Sequence, residues 1–391
     1  MDKLKILIAS ETYPPHINGA AKFSQQLAIC LAKNGHQIQV IAPSVKFQDQ
    51  IEEKDGVKIF GMRSVKVKKI HPYFRIVAPL NLSKKINKII DDFKPDIVHI
   101  QNHFMLGKTC LKIAKRKNIP IIGTNHFMPD NLLEYVPKLI TQKMGDMMWK
   151  DFVKVYNQLD YVTSPTFAAK ALVEKIGLEN NIAVISNGID LNKFKPIKII
   201  DKDFDGFGLD KDIPIFIFVG RLEKDKNIDL ILRATKLVLK KKKIQVLIVG
   251  KGKDENKFEK LAQNLNIQKE VVFTGEVSEI DLQKLLSLAN VYIASGSAEL
   301  QGIAVMEAMA MSLPVLALNA VALPELVKQD INGFLFELNK DDLAEKMLNI
   351  IIDKNKLKEI GKQSRILIQK HSQQEIIKRF EKLYKDIIAR Y

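Results

Sequence analysis

Glu299 and Glu307 stand eight residues apart in Ser297-Ala-Glu299-Leu-Gln-Gly302-Ile-Ala-Val-Met-Glu307-Ala-Met-Ala, ahead of Leu313-Pro314-Val315. The apolar residues Ile303, Val305, Met306 and Met309 predict a helix from about Gly302, with Glu299 in the loop before it and Glu307 a turn or more inside. Free N–H groups at such a helix start attract anions. A phosphorylated ligand laid there meets one carboxylate at each end, and each carboxylate accepts two hydroxyl hydrogen bonds. That arrangement suits a sugar nucleotide, with the diphosphate on the helix start, ribose at one glutamate and hexose at the other. The alternative is an ordinary capped helix with solvent-facing acids.

A second group of residues is cationic. An apolar run at 213–219 feeds Gly220-Arg221-Leu-Glu-Lys-Asp-Lys226-Asn227. An Arg and a Lys at a strand's carboxyl end suit a diphosphate, because Arg supplies a planar fork and Lys a compact charge. Lys224 competes with Lys226, which sits nearer the following helix; solvated bases in a lysine-rich loop are the alternative.

Glycines mark further candidate phosphate-facing loops. Gly19 follows the first strand in Glu11-Thr-Tyr-Pro-Pro-His16-Ile-Asn18-Gly19, just before a helix expected at about Ala21, and lets the backbone approach a ligand closely. Gly252, in Gly250-Lys-Gly252, follows another strand; a tight turn is the alternative at both places. His126 stands at the mouth of the strand ending Gly123-Thr-Asn-His126, and His103 follows the strand at 96–100 into the same region. A lone histidine in such a place is catalytic or structural. Asp201-Lys-Asp203-Phe-Asp205-Gly206 begins like a calcium loop, but Asp212 stands where a Glu is needed and no helices flank it, so a hydrated linker turn is expected. With no Asp-x-Asp pair at a strand end, no cofactor and no obligatory metal is expected.

The elements that must position these residues are legible as alternation. Short β-branched runs at 5–9, 37–42, 57–61, 96–100, 120–124, 161–164 and 182–186 alternate with amphipathic segments such as 21–34 and 80–93. A second series follows at 215–219, 244–249, 271–274, 291–294 and 315–318, after a polar stretch at 192–212. Strands alternating with helices indicate parallel, doubly wound sheets. The expected fold is therefore α/β: two Rossmann-like domains, 1–190 and 191–371, facing across a cleft, with a closing helix over 372–391 packing back on the first. A chain of 391 residues is long enough for two such cores.

The net charge of +16 asks for an anionic partner: a phosphorylated substrate, a membrane surface or nucleic acid. Residues 58–94 concentrate it, with 10 basic against 2 acidic side chains. The basic stretches carry no recognised nucleic-acid-binding motif, so nucleic acid is not expected as a partner. The two cysteines, Cys30 and Cys110, read as buried thiols of a reducing, cytoplasmic compartment. No apolar run approaches the roughly 20 residues that span a bilayer.

Taken together, Pro14-Pro-His-Ile-Asn-Gly19, Gly35-His-Gln-Ile-Gln-Val, Pro95-Asp-Ile-Val-His99, Asn187-Gly-Ile-Asp190, Gly220-Arg221 with Lys226, and Glu299-x7-Glu307-Ala-Met-Ala resemble the retaining GT-B glycosyltransferases of family 4. The resemblance implies that Arg221 and Lys226 hold the diphosphate of a UDP- or GDP-sugar. It implies that Glu307 binds ribose, and that Glu299 with the Leu300, Gln301 and Gly302 amides holds the hexose. Gly19 would lie under the donor phosphates and His126 beside the transferred sugar, with His103 on the acceptor side. The usual Gly-Gly pair of the family reads Asn18-Gly19 here. Glu299-Leu-Gln-Gly302 and Asn125-His126-Phe-Met-Pro look like members that glycosylate membrane lipids. Residues 58–94 then offer a basic face to an anionic membrane, and residues 135–156, with Val136, Met147, Met148 and Trp149 among lysines, an interfacial helix. The implied protein is peripheral at the inner face of the membrane. A soluble sugar or polysaccharide acceptor, or a GT-B sugar-nucleotide epimerase, are the alternatives.

Overall fold

The computed structural model describes residues 3–16, 18–66, 75–127 and 138–391. The chain divides into two compact units, residues 1–188 with 373–391 and residues 189–372. The first division falls two residues earlier than the expected 190/191. Ile189 is the reason: its N–H donates to the His371 carbonyl at 2.9 Å and it bridges to Ser372, both in the second unit.

The strands of the first unit are β1 (Lys5–Ala9), β2 (Gln37–Pro43), β3 (Gln50–Lys54), β4 (Val57–Met62), β5 (Ser64–Lys66), β6 (Arg75–Val77), β7 (Ile97–Ile100), β8 (Ile121–Thr124), β9 (Tyr161–Ser164) and β10 (Ile182–Val184). Eight of them form one sheet, ordered β10-β9-β8-β7-β1-β2-β4-β3, with β5 and β6 as a separate antiparallel pair. All pairings in the large sheet are parallel except β3 with β4. Central strands such as Lys-Ile-Leu-Ile-Ala are buried on both sides, which is why they read as continuous apolar runs. Successive side chains alternate between two cores, Leu7 and Ala9 in one and Ile6 and Ile8 in the other.

The helix Gln373–Ile388 completes the second of those cores, where Ile376, Phe380 and Tyr384 pack with Phe23 and Leu27. Two polar contacts fix its register. The Tyr384 hydroxyl is 2.8 Å from His99 Nδ1, and Glu381 Oε1 receives Asn34 Nδ2 at 2.7 Å and lies 3.1 Å from His36 Nε2.

The second unit holds β11 (Ile215–Val219), β12 (Gln245–Val249), β13 (Val271–Gly275), β14 (Val291–Ala294), β15 (Val315–Leu318) and β16 (Gly333–Phe336), all parallel, ordered β13-β12-β11-β14-β15-β16. This is the strand order of a Rossmann sheet. From β11 the chain proceeds to one side, then returns to the other at β14. The chain order therefore reverses between these two strands, the position at whose carboxyl ends such folds bind ligands. The calcium-like stretch is a five-residue helix, Asp201–Asp205, rather than a turn; the Asp203 side chain caps it by accepting from the Ile200 N–H at 2.9 Å.

Candidate active site

Arg221 and Lys226 leave the carboxyl end of β11, and Glu299 leaves that of β14, so the expected cations and one glutamate border the reversal in the second sheet. A short 3₁₀ turn, Lys224–Lys226, and a left-handed Asn227 lead into the helix Ile228–Val238. This turn is tied to the loop after β14 at four points. Asn227 Nδ2 donates to the Ser295 carbonyl at 2.8 Å and Ser295 Oγ to the Lys226 carbonyl at 2.5 Å. The Ser297 N–H and hydroxyl both donate to the Asp225 carbonyl, at 3.0 and 3.2 Å.

Within that frame Lys226 Nζ lies 2.7 Å from Glu299 Oε1 and 3.0 Å from Asp225 Oδ2. Its side chain is 11% exposed. Burial pulls the ammonium's pKa down, yet the Glu299 and Asp225 carboxylates outweigh it and hold the pKa above that of an ordinary lysine. Lys224 is exposed, which separates the two competing lysines. Arg221 is less enclosed; its Nη1 pairs with the buried Glu223 carboxylate and its Nη2 stands 4.0 Å from Asp225. Glu223 and Asp225 escaped the sequence reading as partners, although their alternation with the bases was visible there.

The helix that follows Glu299 is Ile303–Ala310, with Gly302 as its N-cap at φ 78°, ψ 63°. A side chain at Gly302 is strained by that left-handed backbone and meets Leu323 and Val305 at 3.3 Å, so the residue type is dictated locally. No acid sits in the helix's first turn and no side chain caps it, which leaves the partial positive charge of its N–H groups unneutralised from within the helix. Glu307 is buried on the second turn, Gln301 is buried and Leu300 half-buried. Both Glu299 and Glu307 act electrostatically on the buried Tyr292 phenol of β14: burial raises its pKa most, and each carboxylate raises it further. Gly252 packs its bare Cα face against the Leu222 backbone, where a Cβ would sit 2.3 Å from the carbonyl oxygen. The tight approach of two loops thus explains this glycine by itself.

In the first unit, Gly19 opens the helix Gly19–Lys33, two residues earlier than expected. Asn18 is its N-cap and accepts from the Ala21 N–H at 2.8 Å, which gives the departure from Gly-Gly a structural role. His126 lies against Phe23, ring centroids 4.9 Å apart, with Nε2 2.9 Å from Gln101 Oε1. Burial lowers its pKa to about 3, so the imidazole is neutral. His103 is enclosed by Phe104, Phe127 and Phe152, 3.7 Å from Asp151. Burial lowers its pKa to about 4, with the nearby Asp151 raising it and Lys108 lowering it.

The expected interfacial helix is in part a core element. In Lys138–Tyr156, Phe152, Val155 and Tyr156 are buried, and Met148, Trp149 and Val153 pack on the same core, leaving Met147 62% exposed. Val136 and its neighbours to 137 lie outside the described residues, as do 67–74 of the basic stretch, Ile17, and Met128-Pro129. On the helix Leu82–Phe93, Leu82, Ile86, Ile89 and Phe93 are buried, while Lys84 and Lys88 are exposed. Among the described residues no helix is long and apolar enough to cross a membrane, and no three His, Cys, Asp or Glu side chains group as metal ligands would.

Comparison with known proteins turns this geometry into a class. Residues 17–193 match the family model described as Glycosyltransferase Family 4, and residues 199–367 match Glycosyl transferases group 1. The chain belongs to these glycosyltransferases and has the GT-B fold of two Rossmann-like sheets. It is similar to the alpha-monoglucosyldiacylglycerol synthases of Streptococcus pneumoniae and Acholeplasma laidlawii. The first is 27% identical over 360 residues, 89% of this chain and 78% of that one. The second is 25% identical over 394 residues, 98% of each. The crystal structure of HepE from Anabaena in complex with UDP and glucose shares the fold. It has a TM-score of 0.76 at 16% identity, covering 98% of this chain and 99% of that chain.

Proposed function

We propose that this glycosyltransferase moves a hexose from a UDP- or GDP-linked donor to a hydroxyl of a membrane lipid, such as diacylglycerol or phosphatidylinositol, with retention at the anomeric carbon. The observation that carries the reading is the pairing of Lys226 with Glu299 beside an uncapped helix start at the reversal of the second sheet.

The chemistry follows from what each group can do. As the glycosidic C–O bond breaks, negative charge builds on the departing diphosphate. In this reading the Arg221 fork, the Lys226 ammonium and the first-turn N–H groups of Ile303–Ala310 receive it. Once phosphate oxygens occupy Lys226, Glu299 is released to accept hydroxyl hydrogen bonds from the hexose, and Glu307 accepts those of the ribose. His126 sits beside the transferred sugar as a neutral hydrogen-bonding group, Gly19 under the phosphates, and His103 toward the acceptor. No protein carboxylate serves as nucleophile; the acceptor hydroxyl attacks on the face the diphosphate leaves, and the departing phosphate oxygen takes the acceptor's proton. No metal enters this sequence.

The lipid acceptor is supported by the similarity to two proteins named as alpha-monoglucosyldiacylglycerol synthases. The surface of the first unit supports membrane contact. Phe47, Val65, Ile76 and Leu80 are 42–73% exposed, and Val65 pairs with Ile76 across the β5–β6 hairpin. The Arg63 guanidinium lies 3.8 Å over the Phe47 ring, within the basic region of residues 58–94. In this reading the enzyme works peripherally at the inner face of the membrane. Incubation with UDP- and GDP-hexoses and anionic liposomes carrying diacylglycerol or phosphatidylinositol should yield an α-linked glycolipid, with protein floating alongside the liposomes. A new sugar nucleotide, or a glycoside formed only on soluble sugars, would overturn the lipid assignment.

A further inference from the structure

The carboxyl end of the first unit's sheet gathers buried polar atoms that have no hydrogen-bond partner among the described residues: Gln101 Nε2, Asn125 Nδ2, Glu11 Oε2 and both ring nitrogens of His103. A buried polar group left unpaired loses its hydrogen bonds to water without replacement, so each needs a reason to be there. Gln101 differs from Asn125 and Glu11, whose committed oxygens accept from backbone N–H groups, because the committed end of its amide meets a histidine side chain. Its Oε1 lies 2.9 Å from His126 Nε2, while its backbone N–H donates to the Ala9 carbonyl at 2.8 Å, a rung beyond the last paired residues of β7 and β1. The amide is thus anchored where the chain order of the first sheet reverses, between β7 and β1. The register of β7 and β8, with Ile100 opposite Gly123, brings residues 101 and 126 out at the same mouth.

We propose that Gln101 is a positioning residue for His126: its Oε1 accepts from Nε2–H, which fixes that tautomer and leaves Nδ1 as the acceptor for a substrate hydroxyl. The inference rests on the proposed placement of His126 beside the transferred sugar. A neutral imidazole has one donor and one acceptor nitrogen, and the partner of one decides the role of the other. An amide does this without adding charge. A carboxylate in its place would favour the imidazolium, which has no acceptor nitrogen left. The half-committed amide also explains why an apolar residue of similar volume, which would leave nothing unpaired, does not occupy this buried position.

The test combines imidazole ¹⁵N NMR on histidine-labelled protein with steady-state kinetics, the His126 signals being assigned by their loss in His126→Asn. The wild type should show His126 as the Nε2–H tautomer across neutral pH. Gln101→Met should give mixed tautomers and lower kcat by between about ten- and a hundred-fold with little change in donor KM. Gln101→Glu should raise the His126 pKa and add an acid-side fall to the pH profile that the wild type lacks. A wild-type tautomer and kcat in Gln101→Met, with His126→Asn impaired, would sink the inference alone. Wild-type turnover in folded His126→Asn would instead sink the active-site reading beneath it.

Discussion

Lys226 and Glu299, 73 residues apart in sequence, form an ion pair at 2.7 Å across the boundary between β11 and β14. Asp225 Oδ2 stands 3.0 Å from the same ammonium, so the Lys226 charge is matched on two sides. Under the proposed donor placement, a diphosphate beside Lys226 would exchange one anion for another, and the displaced carboxylate would become available to sugar hydroxyls. The pair would then couple recognition of the two ends of a sugar nucleotide.

Arg221→Ala and Lys226→Ala should each lose about 10²–10³ in turnover, the usual cost of removing one group that stabilises developing charge. Arg221 stands half-exposed on a loop, so its variant should melt near the wild type; Lys226→Ala strands Glu299 and Asp225 and should fold with a lower Tm. Turnover within a few-fold of wild type in either variant removes that residue from the mechanism.

Glu299→Gln should separate the two halves of the donor. The free nucleoside diphosphate should bind at least as well as to the wild type, because one of the two carboxylates that compete for Lys226 is gone. The intact sugar nucleotide should weaken by about ten- to a hundred-fold, the worth of a hydrogen bond to a charged group. Calorimetric titration of both ligands checks this; equal weakening of the two would place Glu299 on the phosphates instead.

Glu11 predicts a pH dependence of stability. Burial, the dominant influence, pushes its carboxyl from 4.5 up to about 7, against the Gly107 and Leu106 N–H groups that favour the carboxylate. Between those values the folded protein holds a proton that the unfolded chain has released, so this contribution to stability declines as pH rises through the window. Glu11→Gln retains an oxygen for the two N–H groups and removes the titration. Below pH 4.5 it should melt with the wild type, and above neutral pH it should be more stable, on the order of 3 kcal/mol. Parallel melting curves at all pH values would contradict it.

Much of the fold was legible because parallel strands buried on both faces carry unbroken apolar runs; β1, β9, β11, β14 and β15 begin and end where the sequence indicates. β3 lacks that signature, and the apolar run of β16 is only three residues long. β3 reads Gln-Ile-Glu-Glu-Lys at a sheet edge, almost wholly exposed, and β16 is a four-residue edge strand entered from a glycine. The site divides the same way. Glu299, Gly302 and Glu307 could be placed by helical spacing alone. The pairing of Glu223 and Asp225 with the cations, and of Gln101 with His126, depends on which strands become neighbours, and local pattern says nothing of that.

Tyr384→Phe should destabilise the first unit by about 1–3 kcal/mol, because it strands the buried His99 Nδ1 without its 2.8 Å partner. Phe380→Ala should cost about 3–5 kcal/mol by opening a cavity in the same core. Urea denaturation, followed by protease susceptibility of fragments from residues 1–188, reads both. Unchanged midpoints would mean that the closing helix is not integral to that unit.

The account stands most directly on calorimetric titration of UDP and GDP into the wild type and the Arg221→Ala/Lys226→Ala double variant. One nucleoside diphosphate should bind the wild type, and its affinity should fall at least about a hundred-fold in the folded double variant, as losing two charged hydrogen bonds requires. Equal affinity in the two proteins would contradict the diphosphate site at the β11–β14 reversal.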